Sequence, residues 1–332
     1  MKKKPLGPWV NQEQLEAMRQ HVLTLYRRRF LPSLIVLILS FSLILFFNRK
    51  SLFYLMKGSF SRDAALGLLL FLLGQLMLTL MVSAIAFLIY LFLVWKPQYD
   101  QFNSYLKRQY LVQELSQLPG FSQLQFDSRQ AQYSYQDLAA LHLFPMGSPR
   151  LFQSTDRLDG IFDRVPFHSG MVVTADPPPA ASRRSLPDEL FSGQVLAFSA
   201  TDYQTISPSR VQVLSRDLFR SGTLTTLPCP IPMEWVEFDE VFLVFGENEY
   251  TARSVLTREV QGKILSLSRL AGNAVSLLFD QSTLFVAIRQ NHNPFDASIH
   301  LPLPAQRKQL VSDSQLLQRA REILVSSESD LH

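Results

Sequence analysis

The sequence predicts an α+β soluble domain, with helices packed on a mixed or antiparallel sheet, attached to an N-terminal two-helix transmembrane hairpin. Two long uncharged apolar runs in the first third of the chain predict the hairpin. In the remainder, six short apolar or alternating runs bounded by glycine, proline, serine or aspartate predict strands. Helical patterns fall among these runs without a regular βαβ repeat, which favours an α+β arrangement.

The two apolar runs occupy residues 30–47 and 64–95 and contain 18 and 32 uncharged residues. At about 1.5 Å per helical residue they reach roughly 27 and 48 Å, against a hydrocarbon layer of about 30 Å. The second run must therefore tilt or protrude. A soluble core helix of this length would carry a polar stripe, whereas Gln75 is the only strongly polar side chain of the second run.

Charge divides the chain into two parts. Residues 1–97 carry 12 Lys and Arg against 3 Asp and Glu, and residues 98–332 carry 20 against 25. Ten basic residues flank the hairpin on the side of its termini and four lie in its loop, so we expect a two-pass protein of the inner (cell) membrane with both termini in the cytoplasm. The acidic soluble part disfavours nucleic acid as a partner. A single cysteine excludes an internal disulfide framework.

Four segments follow from these patterns: a cytoplasmic amphipathic segment at 1–29, the hairpin at 30–95, a helical stalk at 96–119 and a cytoplasmic α+β domain at 120–332. Apolar residues at helical spacing before and after the hairpin predict that its extensions pair as the stalk. The alternative is an amphipathic helix lying on anionic lipid through Arg27–Arg29. Residues 175–188, with three consecutive prolines, predict a solvated loop.

Within the soluble domain, the predicted elements are short. Strands are predicted at 170–174, 194–200, 210–214, 241–245, 275–279 and 284–289, with a hairpin turn at 280–283. Helices are predicted at 134–143, at 257–270 and at the C-terminus, where Ser312 and Gln315 form a capping box.

A search for chemistry identifies no catalytic, cofactor-binding or metal-binding residues. Phosphate-binding, metallopeptidase, hydrolase and EF-hand motifs are missing from the sequence. Asp156, Asp159 and Asp163 are spaced to share one helical face, where they would hold a hard cation, but interleaved arginines favour an ordinary solvated face. His168 and Ser169 do not make a base–nucleophile pair, because adjacent side chains of a strand point to opposite faces.

The densest signal is acidic. Residues 234–249 contain six Asp and Glu and no Lys or Arg around a core-forming run at 241–245. Here the chain resembles the DUF3137 family, whose pattern is roughly Glu-Phe-x-x-x-Phe-x-Val, a short acidic turn, and Glu-Ala-Arg-Tyr-x-Leu-Thr-Pro. The matching residues are Phe238, Phe242, Val244, Ala252, Arg253, Leu256 and Thr257, and Phe191-Ser192-Gly193 resembles an upstream Phe-x-Gly. Thr251, Ser254 and Arg258 depart from the pattern.

The resemblance implies a bacterial membrane protein without an established activity, so it transfers no catalytic role. From the residues themselves, Phe238 and Phe242 are more typical of core than of a ligand platform, and Thr257 is a natural N-cap. Arg253 beside acidic residues such as Glu249 predicts a charge-assisted pair that fixes the turn. A contact with an anion or a partner is its alternative role.

The sequence therefore favours a membrane-anchored protein whose cytoplasmic domain binds a protein partner or a small regulator. One alternative is a membrane-associated enzyme with a site assembled from dispersed Asp, Glu and His. Another is an accessory subunit of a transport complex, motivated by Gln75, Thr79 and Ser83 in the second span. The expected partners are the lipid bilayer and a protein, with a homo-oligomer possible and no cofactor.

Overall fold

A computed structural model describes residues 11–56, 62–128, 130–178, 186–200, 207–219, 230–272, 274–290, 293 and 295–329. The chain divides into two compact units. The first unit runs to Tyr105 and includes Ser298–Pro302, and the second comprises Leu106–Ala297 and the residues from Leu303 onward. The domain bounds expected from the sequence, at 29, 95 and 119, stay predictions.

The first unit is helical throughout its described main segment. Its elements are α1 (Gln12–Arg27), α2 (Leu31–Met56), α3 (Arg62–Tyr90), a π-helical turn at Leu91–Trp95, and α4 (Lys96–Tyr105). The large apolar side chains of α2 and α3 are mostly exposed. The structure therefore contains two helices that are long and apolar enough to cross a membrane.

Helices α2 and α3 pack against each other, and α1 packs against α4. The Ser83 hydroxyl donates a hydrogen bond to the Ser33 carbonyl at 2.9 Å, and the rings of Phe30 and Phe87 stack with centroids 5.2 Å apart. Thr79 bonds within its own helix, to the carbonyl of Gln75. Ser83 of the second span thus serves helix packing, and Thr79 makes a local backbone contact.

The second unit begins with a π-helical turn at Leu106–Leu111 and α5 (Val112–Ser116). Its helices are α6 (Tyr135–Ala139), α7 (Val236–Val241), α8 (Glu249–Val255), α9 (Arg258–Ala271) and α10 (Leu303–Ser329). Its strands are β1 (Phe121–Asp127), β2 (Gln153–Phe162), β3 (Val165–Asp176), β4 (Asp188–Ser199), β5 (Ser207–Ser215), β6 (Phe242–Gly246), β7 (Val275–Gln281) and β8 (Thr283–Arg289). In the described chain these strands form one eight-stranded sheet, ordered β1-β2-β3-β4-β8-β7-β5-β6, and every pairing is antiparallel.

Both faces of the sheet are covered. Alternate residues of a strand point to opposite faces, so Leu277 joins the apolar cluster that includes α9 and α10 residues, while Leu278 joins the cluster with the 138–144 segment. This double burial explains why the central strands are apolar almost without interruption. The α+β fold class predicted from the sequence is confirmed.

The six predicted strands are confirmed, and so are the 280–283 turn and the Thr257 cap. The predicted start of the C-terminal helix was wrong, since α10 begins at Leu303 and the Ser312 capping box lies inside it. Strands β1 and β2 were missed. Asp156 and Asp159 lie on β2 and not on a helix. The helical face on which three carboxylates would hold a cation is therefore not formed. The predicted loop at 175–188 lies partly outside the described residues.

Candidate functional site

The residues that carry the family resemblance form one stretch, running through α7, β6, α8 and the start of α9. Phe238 and Phe242 are both buried, with ring centroids 5.0 Å apart. Thr257 precedes α9, and its side chain accepts a hydrogen bond from the Val260 amide. These three residues build the core and the helix start, as their sequence context predicts.

Arg253 lies at the surface and makes three contacts. Its guanidinium donates hydrogen bonds to the carboxylates of Glu249 at 2.9 Å and Glu234 at 2.8 Å, and to the carbonyl of Pro232 at 3.0 Å. The hydrogen bond to Glu249, together with the charges of both carboxylates, raises the pKa of Arg253. The charge-assisted pair with Glu249 expected from the sequence is present, and Glu234 is a second acceptor.

The Arg253 ion pairs are largely exposed to solvent. The Arg253 side chain is 33% exposed, and its partners Glu249 and Glu234 are 62% and 80% exposed. Exposed pairs are screened by water and contribute little to stability. Arg253 therefore joins the 232–234 segment to α8 without being a main determinant of folding.

Two further arginines, both on α9, contact the residues that follow Glu234. The guanidinium of Arg258 lies 3.5 Å from the ring centroid of Trp235, and Arg269 forms an ion pair with Glu237. An arginine over a tryptophan face is a favourable cation–π contact. Together with Arg253, these residues link α7 and the segment before it to both α8 and α9. We call residues 232–238, α8 and the start of α9 the motif surface.

The motif surface exposes two large apolar side chains. Val236 is 72% exposed and Tyr250 is 80% exposed. Each is within two residues of a carboxylate held by Arg253, so the arginine bonds draw their two segments together. Large exposed apolar side chains bordered by polar residues are one feature of protein interaction sites.

The upstream Phe-x-Gly has a packing explanation. Phe191 is fully buried and stacks on Phe144 with ring centroids 4.0 Å apart. Gly193 pairs with Arg289 of β8, and a Cβ at Gly193 would overlap the carbonyl oxygen of Ile288. The glycine therefore allows β4 and β8 to approach closely at the centre of the sheet.

Sequence reasoning missed a buried charge network in the second unit. The ammonium group of Lys107 lies 2.9 Å from both carboxylate oxygens of Asp156 and 2.6 Å from Asp296. The amide of Asn293 donates to Asp156 at 2.5 Å. Lys107 and Asp156 are almost completely buried, whereas Asp296 is about half exposed. The spacing of 49 residues between Lys107 and Asp156 left no local signal for this contact.

A second polar group lies across β2 and β3. The Nδ1 atom of His168 is 2.7 Å from the Asp159 carboxylate, which also accepts a hydrogen bond from Arg157. Ser169 is fully buried and accepts a hydrogen bond from Gln194. The adjacent His168 and Ser169 therefore point to opposite faces, as expected from the strand geometry.

Two cavities of the second unit differ in the space that they offer a ligand. A cavity lined by Leu115, Gln194 and Phe295 has a volume of about 10 Å³, the size of one water. An open groove of about 250 Å³ lies between α9 and α10, at Ser266 and Gln315. Among the described residues, no group of three or more His, Cys, Asp or Glu side chains is arranged to hold a metal ion.

Comparison with known protein families gives a match that lies mainly in the second unit. Residues 190–324 match the family described as protein of unknown function (DUF3137), a region that covers β4 to β8 and most of α10. No curated protein and no solved structure matches the chain. Strands β1 to β3 precede the matched region. Over residues 190–324, the resemblance of this chain to the DUF3137 family of proteins of unknown function is confirmed.

Proposed function

We propose that this protein is anchored in a membrane by α2 and α3 and binds a protein partner through the motif surface. The exposed Val236 and Tyr250 beside the Arg253 contacts carry the second half of this proposal. The partner that fits is apolar where it meets these two side chains. It is basic around them, because the rim contains Glu234, Glu249 and their acidic neighbours.

The exposure of the apolar helices supports the anchor. Their most apolar windows have a mean hydropathy of 2.6, yet 0% and 11% of the residues in these windows are buried. Core helices of soluble proteins are mostly buried, so another environment must cover these side chains. A bilayer supplies such an environment over the required length.

The basic residues that flank the two apolar helices support a two-pass orientation in the inner membrane, with both termini in the cytoplasm. Labelling of single cysteines by an impermeant reagent in intact cells tests it, in a Cys229→Ser background. We expect Ser59→Cys, in the loop of the hairpin, to be labelled, and Leu186→Cys, 88% exposed in the second unit, to be protected until lysis. The reverse pattern would overturn the orientation.

Photo-crosslinking in cells tests the motif surface. A photoreactive phenylalanine analogue at position 250 should capture a discrete partner, and the same analogue at position 311, on α10, is the matched control. Val236→Ser with Tyr250→Ala should reduce recovery of that partner at least tenfold, since apolar anchors dominate binding energy. Equal crosslinking at positions 250 and 311, or unchanged recovery by the double variant, would contradict the proposed surface.

Arg253→Ala separates stability from binding at this surface. Because the Arg253 pairs are exposed, the variant should melt at nearly the same temperature as the parent protein. Its recovery of the partner should fall, because the 232–234 segment and α8 are no longer joined. A large loss of stability would instead show that the pair is structural, as the sequence alone favours.

A further inference from the structure

We infer that the base of the apolar hairpin binds the headgroups of acidic phospholipids, an inference that rests on the membrane anchoring proposed above. The hairpin base comprises residues 26–30, at the junction of α1 and α2, and residues 92–99, around the π-helical turn. All of these residues lie in the first unit. Three observations carry the inference: the aromatic rings, the cations around them and the apolar surface that follows.

Aromatic rings form the centre of the hairpin base. The ring of Tyr26 lies 5.7 Å from that of Trp95, and Trp95 stacks on Tyr99 with centroids 5.2 Å apart. His300, in the 298–302 segment, meets Tyr26 edge-on at 5.4 Å. Tyrosine and tryptophan are enriched where a membrane-spanning helix passes through the headgroup layer.

The 298–302 segment is fixed to the same unit by a buried arginine. Arg19 is 4% exposed, and its guanidinium donates to the Ile299 carbonyl at 2.6 Å. Glu16, on the same helix, balances the Arg19 charge. Tyr26 is therefore held by neighbours on both sides, which positions the cation above its ring.

The hairpin base contains four cationic side chains: Arg27, Arg28, Arg29 and Lys96. Arg29 lies 3.9 Å above the Tyr26 ring, and Lys96 lies 5.6 Å from the Phe92 ring. Arg27, Arg28 and Lys96 are exposed. Within the described part of the chain, none of these four cations has an ion-pair partner. Their counter-charge must therefore come from outside, and stacking on rings leaves the donors of Arg29 available at the ring edges.

The apolar surface begins immediately beside these cations. Phe30, Leu31 and Leu93 are 57%, 50% and 72% exposed. If these side chains contact acyl chains, the cations are at the depth of the lipid phosphates. Clustered basic residues next to a spanning helix select anionic lipids, because each Lys or Arg near such a surface contributes roughly 1 kcal/mol. The occupant is an acidic phospholipid such as phosphatidylglycerol.

Quenching of Trp95 by brominated lipids tests the inference. The full chain, with Trp9→Phe and Trp235→Phe, is reconstituted in mixtures of phosphatidylglycerol and phosphatidylcholine in which one lipid at a time is brominated. Trp95 should prefer brominated phosphatidylglycerol about fivefold, which corresponds to one cation at the surface. Replacing all four cations, with Arg27→Gln, Arg28→Gln, Arg29→Gln and Lys96→Gln, should bring the ratio close to one. Arg49→Gln with Lys50→Gln, at the other end of α2, is the control that should leave the ratio unchanged.

Each result of this experiment is decisive. Quenching by neither lipid would mean that the hairpin is outside the bilayer, and the proposed anchoring itself would fail. Equal quenching by both lipids, or the same loss of preference in the control variant, would overturn the headgroup site while leaving the anchor intact. Inorganic phosphate should lower the preference no more than chloride at equal ionic strength, and a specific loss with phosphate would overturn the assignment to lipid.

Discussion

Lys107 holds a buried charge network together, and replacing it with methionine should strongly destabilise the second unit. Methionine keeps the apolar length of the side chain but removes the ammonium group. Asp156 then retains the Asn293 amide, at 2.5 Å, and loses the cation that contacts both of its carboxylate oxygens at 2.9 Å. Because Asp156 is almost completely buried, water does not replace the lost partner.

The size of the effect follows from this burial. Breaking a buried ion pair on one side costs about 3–5 kcal/mol, because the remaining charge is uncompensated. For a unit of this size, each kcal/mol lowers the melting temperature by about 2–4 °C, so Lys107→Met should lower it by roughly 6–20 °C. Thermal unfolding of the full chain in detergent, followed by Trp235 fluorescence with Trp9→Phe and Trp95→Phe, measures the shift.

Two control variants separate the buried charge from general disruption. Asp296→Asn changes the half-exposed acceptor and should cost less than about 1 kcal/mol. Asp156→Asn combined with Lys107→Met removes both charges and should be more stable than Lys107→Met alone. Asparagine also tolerates the positive φ of 56° at this position. A melting temperature unchanged by Lys107→Met, or a double variant at least as unstable as the single variant, would refute the reasoning.

Three further predictions follow from the second unit. Gly193→Ala should destabilise the protein by about 1–3 kcal/mol in denaturant titrations, because the new Cβ meets the Ile288 carbonyl in the facing strand; an unchanged midpoint would contradict this. Thr257→Ala should cost about 1 kcal/mol through loss of the N-cap, and Thr257→Ser should retain most of the stability. Burial, and secondly the charge of Arg210, lower the pKa of His142 from its ordinary 6.5, so NMR titration should give a lower value. His142 then contributes stability that is present above about pH 6.5 and is lost as the pH falls through the lower folded-state pKa.

Local patterns determined much of this protein. The two uncharged runs predict two long apolar helices by their length and composition alone, which do not depend on tertiary contacts. The run at 275–279 predicts a strand because every residue is compatible with burial, and Thr257 predicts a helix start because an N-cap acts on its own next turn. The family resemblance at 238–257 was likewise readable from residue order.

Only the tertiary structure decided the features that depend on distant partners. Strand β2 reads as a polar segment, yet Asp156 is buried there because Lys107, 49 residues away, compensates its charge. Strand β1 is also polar, and it forms because it pairs with β2 at the edge of the sheet. The sequence around β1 does not show this distant pairing. One acceptor of Arg253 also comes from folding, because Glu234 is 19 residues away, whereas Glu249 is only four residues away on the same helix. A sequence shows what each residue prefers locally, whereas compensation between distant charges exists only after the chain has brought them together.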